Sequence, residues 1–276
     1  TIKNVDFTQK GDKIYISYDL HGQGKYMLSL YYSMNKGTSW KGSVESVRDE
    51  LSEVTPGEGK QIVWNVLNDR DWLIAENLKI KIRETPKEGT FTDPRDGQTY
   101  KWVRIGDQVW MAENLNYDQS THGNDWCYNQ KSSNCDTYGR LYDWDALLQK
   151  DSSSNNNPSG VQGICPDGWH VPSDAEWKEL EKELGMSQSE ADKTGYRGTN
   201  EGSQLAGNAS PWNDDKLINN SEFGSTGFTA LPDGYRGGDG NFYGIGNYGY
   251  WWSSTEKSLT EGWYRTLGYN NSKVNR

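Results

Sequence analysis

Apolar and polar residues alternate along several short stretches of residues 1–84. A period of two residues places one side of a strand in a core and the other side in water. Turn-forming pairs such as Gly11-Asp12 and Pro56-Gly57 separate these stretches. Short strands at this spacing predict an antiparallel β-sandwich over residues 1–84. The residues predicted to define the strands are Val5, Phe7, Ile14, Ile16, Tyr18, Tyr26, Leu28, Leu30, Tyr32, Ile62, Trp64, Val66, Leu78, Ile80 and Ile82.

Residues 84–90 are polar and contain Pro86 and Gly89, which predicts a short linker. Beyond this linker the pattern is mixed and predicts an α+β domain over residues 90–276. A hairpin is expected around Gly106-Asp107. Later short strands are expected at 227–231, 250–254 and 263–267.

Two helices are predicted in the second domain. The first covers residues 141–149, and the second begins after Ser173 and ends at Gly185. Ser173 and Glu176 form a capping box, in which each side chain satisfies a free backbone donor of the other. The apolar stripe of the second helix consists of Trp177, Leu180 and Leu184. Its charged residues, Lys178, Glu181 and Lys182, are predicted to face water.

Aromatic residues change the expected nature of the core. Hydrophobic residues make up 33% of the chain and aromatics 13%, with 13 Trp and 17 Tyr. Disordered chains are depleted in aromatics, so a folded chain is expected. Ten of the thirteen tryptophans lie after the linker. We therefore predict a second domain organised around rings, whose polar tips can also form hydrogen bonds.

The formal net charge of -10 argues against nucleic acid as a partner, because phosphate binding requires clustered Lys and Arg. No apolar run approaches the roughly 20 residues that a membrane-spanning helix needs, so no transmembrane segment is expected. The chain begins almost inside a strand and without a signal-peptide pattern. We expect that a leader has been removed upstream.

Cys127 and Cys135 lie eight residues apart in a polar, turn-rich stretch, which predicts a disulfide. Cys165 remains without a partner in the sequence. An odd cysteine in this context indicates either a lost partner or a free thiol.

Several motifs in the second domain occur in a recognisable order. They are Asp93-Pro94-Arg95-Asp96-Gly97, Trp110-Met111-Ala112-Glu113-Asn114-Leu115, Tyr138-Gly139-Arg140-Leu141-Tyr142, Cys165-Pro166-Asp167-Gly168-Trp169-His170-Val171-Pro172, Gly227-Phe228-Thr229-Ala230-Leu231-Pro232 and Trp251-Trp252-Ser253-Ser254-Thr255-Glu256. Together they resemble the Fibrobacter succinogenes major paralogous domain, over about residues 90–276. Two of the motifs also resemble the wider C-type-lectin-like fold, which includes the formylglycine-generating enzymes. The first domain resembles, less specifically, immunoglobulin-like or fibronectin-like modules.

The resemblance implies a C-type-lectin-like fold and an exported protein at the cell surface or outside the cell. It also implies that a lipid anchor can lie upstream. Members of the family usually continue to a final strand that carries a cysteine. The resemblance therefore implies that Cys165 pairs with a residue beyond Arg276.

Metal and catalytic sites are not favoured by the sequence. Trp212-Asn213-Asp214 spells a tripeptide that supplies calcium ligands in sugar-binding C-type lectins, but the companion Glu-Pro-Asn is absent. Isolated matches of this kind are often coincidental. The histidines His21, His122 and His170 are far apart, and no paired cysteines lie near the C-terminal end for formylglycine-type chemistry. We predict no cofactor and no metal.

The acidic residues are abundant, and a glycosidase would need two of them held a few ångströms apart. The sequence favours solvated surface for Asp174, Glu176, Asp214, Asp215, Asp233, Asp239 and Glu256.

A glycine- and tyrosine-rich segment, residues 233–252, carries the candidate ligand-binding site. Aromatic faces can stack on sugar C–H groups, adjacent polar side chains can bind hydroxyls, and glycine allows such a loop to bend. The predicted ligand-binding residues are Asp233, Tyr235, Arg236, Asp239, Asn241, Tyr243 and Tyr248. Packing in the core is the favoured role for Trp110, Trp169, Trp177, Trp251 and Trp252, and for Trp40 and Trp72 in the first domain.

The leading hypothesis is a non-catalytic surface protein in which the second domain recognises a glycan or another surface protein. The alternatives are a structural subunit of a secreted, fimbria-like assembly, with an open strand edge, and an enzyme of the formylglycine-generating fold.

Overall fold

The computed structural model describes residues 1–42, 44–47, 49–70, 77–119, 124–258 and 261–276. Trp72 and His122, for which roles were weighed above, lie outside the described residues. The chain divides into a first unit, Thr1–Gly89, and a second unit, Thr90–Arg276.

The first unit contains two antiparallel sheets. One has the order β1-β2-β4, formed by β1 (Ile2–Lys10), β2 (Lys13–Leu20) and β4 (Gly57–Asn65). The other pairs β3 (Tyr26–Ser33) with β5 (Lys79–Pro86) in continuous register. Short 3-10 turns at 45–47, 49–51 and 66–68 fill the connections. Buried side chains of both sheets form one core, as the alternation predicts.

Trp64 lies at the centre of this core and is fully buried. Its ring lies 5.0 Å from that of Tyr32, and its Nε1–H donates to Asp69 at 2.8 Å. Val5, predicted to share a face with Phe7, is instead 38% exposed. The register shifts between Lys3 and Asp6, so this bulge reverses the alternation before Phe7.

The predicted linker consists largely of strand. β5 continues to Pro86, and β6 (Glu88–Thr92) begins two residues later. The Lys87 amide donates to Lys25 O at 3.0 Å. A polar stretch that contains Pro and Gly can therefore belong to the end of a strand as well as to a linker, and the sequence pattern is the same in both cases.

The second unit is β-rich, with short sheets around its helices. The predicted hairpin is confirmed as β7 (Thr99–Ile105) and β8 (Gln108–Met111), which join β6 in one sheet. Two small pairs follow: β9 (Asp125–Trp126) with β10 (Leu141–Tyr142), and β12 (Tyr235–Arg236) with β13 (Phe242–Tyr243). The largest sheet has the order β11-β16-β15-β14 and contains β11 (Tyr196–Arg197), β14 (Tyr248–Ser258), β15 (Glu261–Gly268) and β16 (Val274–Asn275).

The helices are α1 (Ser132–Tyr138), α2 (Trp144–Leu148), α3 (Asp174–Glu183), α4 (Gln188–Ala191) and α5 (Glu201–Leu205), with a 3-10 turn at 128–130. The predicted capping box of α3 is confirmed: Ser173 Oγ accepts from the Glu176 amide and Glu176 from the Ser173 amide. The helix predicted over 141–149 is shorter, because Leu141 and Tyr142 form β10 and Asp143 caps α2. None of the helices within the described ranges is long and apolar enough to cross a bilayer.

The segment 227–231 does not form the predicted strand. It makes an isolated parallel bridge between Ala206 and Ala230. Gly227 and Thr229 have positive φ angles of 75° and 57°, which interrupt an extended backbone. Strands at 250–254 and 263–267 are confirmed within β14 and β15.

A group of charged side chains lies in the core of the second unit. Glu181, predicted to face water, is fully buried in α3. Its Oε1 accepts from Arg265 at 2.6 Å and from Arg197 at 2.9 Å. Asp174 accepts from Arg265 and from Arg276, each at 2.8 Å. We call these five residues the ionic core. Burial raises the pKa of Asp174, but the two arginines outweigh it and hold that pKa at about 2.

Glu181 follows Trp177 by four residues, so both lie on the same face of α3. The charge of Glu181 led to the prediction that it faces water. It is buried because it pairs with Arg197 and Arg265, which belong to strands far along the chain. The apolar core beside these charges is mainly aliphatic, contrary to the prediction of a core organised around rings. Its rings are Trp110, Trp177, Trp212 and Phe228, and the ring centroids of Trp110 and Trp177 are 4.8 Å apart.

Candidate functional site

An open cavity of about 990 Å³ lies in the second unit. Cavities of this size hold small organic ligands. Its lining is dominated by rings from the first hairpin, the loop before α3 and the large sheet. The main ones are Trp110, Trp169, Tyr235, Tyr250, Trp252 and Tyr264.

One wall of the cavity continues as a row of rings toward solvent. Tyr250 and Trp252 share a face of β14, because strand side chains alternate, and Trp252 pairs with Tyr264 of β15. Successive ring centroids are 5.5 Å apart for Trp252 and Tyr264, 6.0 Å for Tyr264 and Tyr250, 5.2 Å for Tyr250 and Tyr235, and 5.5 Å for Tyr235 and Tyr243. We call these five rings the aromatic strip. Tyr235, Tyr243 and Tyr264 are each about 40% exposed.

Indole N–H groups hold β14, the edge strand of its sheet. Trp177 Nε1 donates to Trp252 O at 3.2 Å, and Trp144 Nε1 donates to Ser253 O at 2.9 Å. Trp252 in turn donates to Tyr142 O at 2.9 Å. The edge strand is thus hydrogen-bonded through side chains, which fixes the orientation of the aromatic strip.

Gly249 allows Trp251, from the other face of β14, to reach the cavity. A Cβ atom at position 249 would lie 2.3 Å from both the Trp251 ring and Leu231 O, so only glycine fits there. The Trp251 indole donates to Asn114 Oδ1 at 2.9 Å, and Asn114 Nδ2 donates to Tyr138 O at 2.8 Å. Asn114 therefore orients one ring of the cavity.

Asp233 is a buried acid in the lining, with 5% of its surface exposed. Its carboxyl accepts from the Tyr250 amide at 3.3 Å and faces Asn114 Nδ2 at 3.5 Å. No cation pairs with it among the described residues. Burial raises the pKa of Asp233 well above its ordinary value. Burial thus favours the protonated form of this carboxyl, which can donate a hydrogen bond into the cavity.

We expect Asp233→Asn to raise the free energy of unfolding at neutral pH by about 0.5–2 kcal/mol. Above a pH of roughly 4, where an unfolded aspartate ionises, the folded chain retains a proton on Asp233 that the unfolded chain loses. Stability therefore falls as pH rises from there toward the raised pKa. Because asparagine does not titrate, the gain should grow with pH in urea unfolding series.

Asp239→Asn is the matched control for Asp233→Asn. Asp239 is exposed, and hydrogen bonds from Tyr243 and Asn241 lower the pKa of its carboxyl to about 2. This variant should not gain stability with rising pH. An equal gain in both variants would show that Asp233 is not a buried neutral acid.

Two arginines line the cavity, and they differ in the groups that contact their guanidinium. Arg140 forms ion pairs with Asp118 and Asp125. Arg236 instead lies with its guanidinium 4.3 Å from the Trp126 ring centroid and 6.0 Å from that of Phe242. Cation–π contacts of this kind hold a guanidinium in place while leaving its N–H edge available.

His170 and Glu176 lie at the cavity margin, with Nε2 and Oε1 2.7 Å apart. The hydrogen bond that His170 Nε2–H donates to the Glu176 carboxylate raises the pKa of His170 above its ordinary value, against the opposing effect of burial. The same carboxylate caps α3, so this pair ties the loop before the helix to the helix itself.

The predicted ligand-binding residues divide into three groups. Asp233, Tyr235 and Arg236 come together in the cavity lining. Asp239, Asn241 and Tyr243 form the tip of the β12–β13 hairpin, where Asp239 accepts from Tyr243 Oη at 2.6 Å and from Asn241 Nδ2 at 2.8 Å. Tyr248 does not line the cavity; its ring lies 6.4 Å from those of Tyr250 and Tyr269.

Packing was the favoured role for five tryptophans of the second unit. Trp110 and Trp177 are buried, as predicted. Trp169, Trp251 and Trp252 are half-buried and line the cavity. In the first unit, Trp40 is also half-buried, with Lys81 Nζ 4.1 Å above its ring.

The prediction of solvated acids was wrong for Asp174, Glu176 and Asp233, which are buried.

In the calcium-like tripeptide, Trp212 is buried and donates to Ala230 O, while Asn213 donates to Asn247 at 2.7 Å. Asp214 accepts from Asn219 at 2.7 Å. Within the described part of the chain, no group of three or more His, Cys, Asp or Glu residues could hold a metal ion.

The Cys127–Cys135 disulfide is confirmed. Cys165 is a free thiol that packs against the small cluster of Leu148, Val161 and Val171. Burial raises the pKa of the Cys165 thiol to about 12. It therefore stays protonated at neutral pH and is a poor nucleophile. Its pairing with a residue beyond Arg276 stays a prediction.

Sequence reasoning missed Tyr250 and Tyr264 as cavity residues and Trp126 as the support for Arg236. Tyr248, Tyr250 and Trp252 recur at a period of two, a signal that could have indicated one aromatic strand face. Tyr264 and Trp126 carried no local signal, because their roles depend on pairing between distant strands.

The second unit is thus a β-rich, disulfide-bonded domain with an open aromatic cavity. The chain belongs to the Fibrobacter succinogenes major domain family, whose model matches residues 103–276. No curated protein and no solved structure matches the chain.

Proposed function

We propose that the second unit is a C-type-lectin-like domain that binds a saccharide in its aromatic cavity, without catalysis, as part of an exported surface protein. The aromatic strip is the observation that carries this proposal. Its rings lead from inside the cavity to exposed positions at spacings of 5.2–6.0 Å.

A row of this kind suits a chain of sugar rings. Each pyranose has an apolar C–H face, which can stack on an aromatic ring, and a rim of hydroxyls. Tyrosine also offers a hydroxyl at its edge, so it serves both parts of a sugar. Exposed rings in a continuous row are uncommon on a protein surface without a partner.

Polar groups among the rings favour a saccharide over a purely apolar ligand. The buried Asp233 carboxyl and the Arg236 guanidinium lie in the lining with rings around them. Ligand sites typically combine apolar walls with a few polar groups that set orientation. A binding role is favoured over nucleophilic catalysis because burial raises the pKa of the Cys165 thiol to about 12, which makes it a poor nucleophile.

Export is supported by the Cys127–Cys135 disulfide, since disulfides persist mainly in oxidising compartments. The order of motifs supports the C-type-lectin-like fold, and the two sheets around one core support a sandwich module in the first unit.

The test is a glycan array with the full chain, followed by calorimetry with the saccharides that bind. We expect Trp252→Ala to weaken binding about tenfold or more, since one ring contact and its buried area contribute at least about 1.4 kcal/mol. Affinity should also rise with oligosaccharide length, because longer chains reach Tyr235 and Tyr243.

Trp263→Ala is the matched control. Trp263 lies next to Tyr264 in β15, does not line the cavity, and packs 3.9 Å from the Arg276 guanidinium. It should leave saccharide affinity unchanged. Failure of the folded chain to bind any saccharide, or equal losses in both variants, would count against the proposal.

A further inference from the structure

Arg236 differs from the other arginines of the second unit. Arg95, Arg140, Arg197, Arg265 and Arg276 each form an ion pair, and Arg104 donates to Asp107 O. Arg236 makes neither an ion pair nor a hydrogen bond through its guanidinium within the described ranges. Its side chain is exposed, rests on Trp126 and Phe242, and lines the cavity.

The stacked position prepares the guanidinium for a planar anion. A guanidinium held by rings loses less conformational freedom on binding than a free side chain. Its N–H edge matches a carboxylate, with two parallel hydrogen bonds. The neighbouring acid of the lining, Asp233, forms no ion pair with Arg236 among the described residues, and burial raises the pKa of its carboxyl, which favours the uncharged form.

We propose that the ligand is a saccharide carrying one carboxylate, as in a uronic acid, and that Arg236 binds this carboxylate while the neutral sugar rings stack on the aromatic strip. This inference rests on the proposed saccharide-binding function. It assigns Arg236 as the residue that sets specificity.

The charge of the second unit favours one carboxylate over a polyanion. Residues 1–89 contain 13 basic and 13 acidic residues, so residues 90–276 retain 16 of the 29 basic and 26 of the 39 acidic ones, a net charge of -10. Such a field repels a strongly charged polymer. A single carboxylate can still gain the local pair with Arg236.

Three matched probes test the inference by calorimetry with the full chain: cellotriose, its counterpart ending in glucuronic acid, and the methyl ester of that acid. A charged hydrogen bond contributes about 1.5–3 kcal/mol, so the acid should bind about ten- to a hundredfold more tightly than both neutral probes. Its advantage should shrink at high salt. Equal affinity for all three, or tighter binding of a neutral probe, would overturn the inference and leave saccharide binding intact. Binding of none of them, with a blank glycan array, would overturn both.

Variants separate charge from geometry. Arg236→Gln should abolish the preference for the acid over cellotriose and over the methyl ester. Arg236→Lys should restore only part of the preference, because lysine lacks the bidentate edge. Arg83→Gln is the control: Arg83 also stacks on a ring, 5.2 Å from Tyr31, but lies outside the lining. A loss of preference in Arg83→Gln equal to that in Arg236→Gln would show a general charge effect and contradict the assignment.

Discussion

Replacing Glu181 by glutamine is expected to lower the free energy of unfolding of the second unit by about 3–5 kcal/mol, the usual cost of removing one partner of a buried ion pair. The side chain keeps its shape, so the change isolates the charge. Arg197 and Arg265 are each 1% exposed. Arg197 would lose its ion-pair partner, and Arg265 would keep only Asp174 as a counter-ion. Urea unfolding of the full chain, with hydrogen exchange read over α3 and β15, measures the loss.

Glu179→Gln provides the matched control, two residues earlier in the same helix. Glu179 is half-exposed and pairs with Lys182 at 2.7 Å, and surface pairs contribute at most about 1 kcal/mol. Similar losses in the two variants would mean that the ionic core is not a buried network.

The ionic core also supports the candidate site. Arg265 belongs to β15 and lies between Tyr264 and Thr266, so it points away from the strand face that carries Tyr264. It ties β15 to Asp174 and Glu181 of α3. One side of the strand is therefore fixed by charge pairs and the other presents a ring to the cavity. A weaker ionic core should loosen the aromatic strip.

Trp64→Ala is expected to cost the first unit about 3–5 kcal/mol, as is usual when a buried tryptophan is truncated. The substitution leaves a cavity between the two sheets and removes the hydrogen bond from Trp64 to Asp69. Hydrogen exchange over β2 and β4 should accelerate, since stability is local to the affected core.

Trp40→Ala tests whether any tryptophan of the first unit would have the same effect. Its ring is half-buried and covered by Lys81 rather than by the core. A loss of about 1 kcal/mol, typical of single substitutions, is expected. If Trp40→Ala accelerated exchange as much as Trp64→Ala, Trp64 would not be the centre of the core.

Local patterns were reliable wherever a single strand or helix determined its own burial. The alternation in β2 and β3, the β7–β8 hairpin and the capping box of α3 all depend on residues a few positions apart. Predictions from local patterns were wrong where pairing with another strand changed the burial of a residue. Val5 was misplaced by a bulge, and the 84–90 segment was recruited into strands.

The candidate site shows the same limit. The segment 233–252 was identified from its own composition, and it does supply Asp233, Tyr235 and Arg236 to the cavity. The sequence could not separate these residues from Asp239 and Asn241, because both groups have the same chemistry and differ only in what surrounds them.

The sequence by itself determined the family, the disulfide and most strands, because these follow from local order and composition. Tertiary structure alone decided that Glu181 is buried against two arginines, that burial raises the pKa of Asp233, and that Tyr264 lies beside Trp252. Burial and charge pairing are sums over neighbours from distant parts of the chain, and such neighbours meet only when the sheet and α3 pack together.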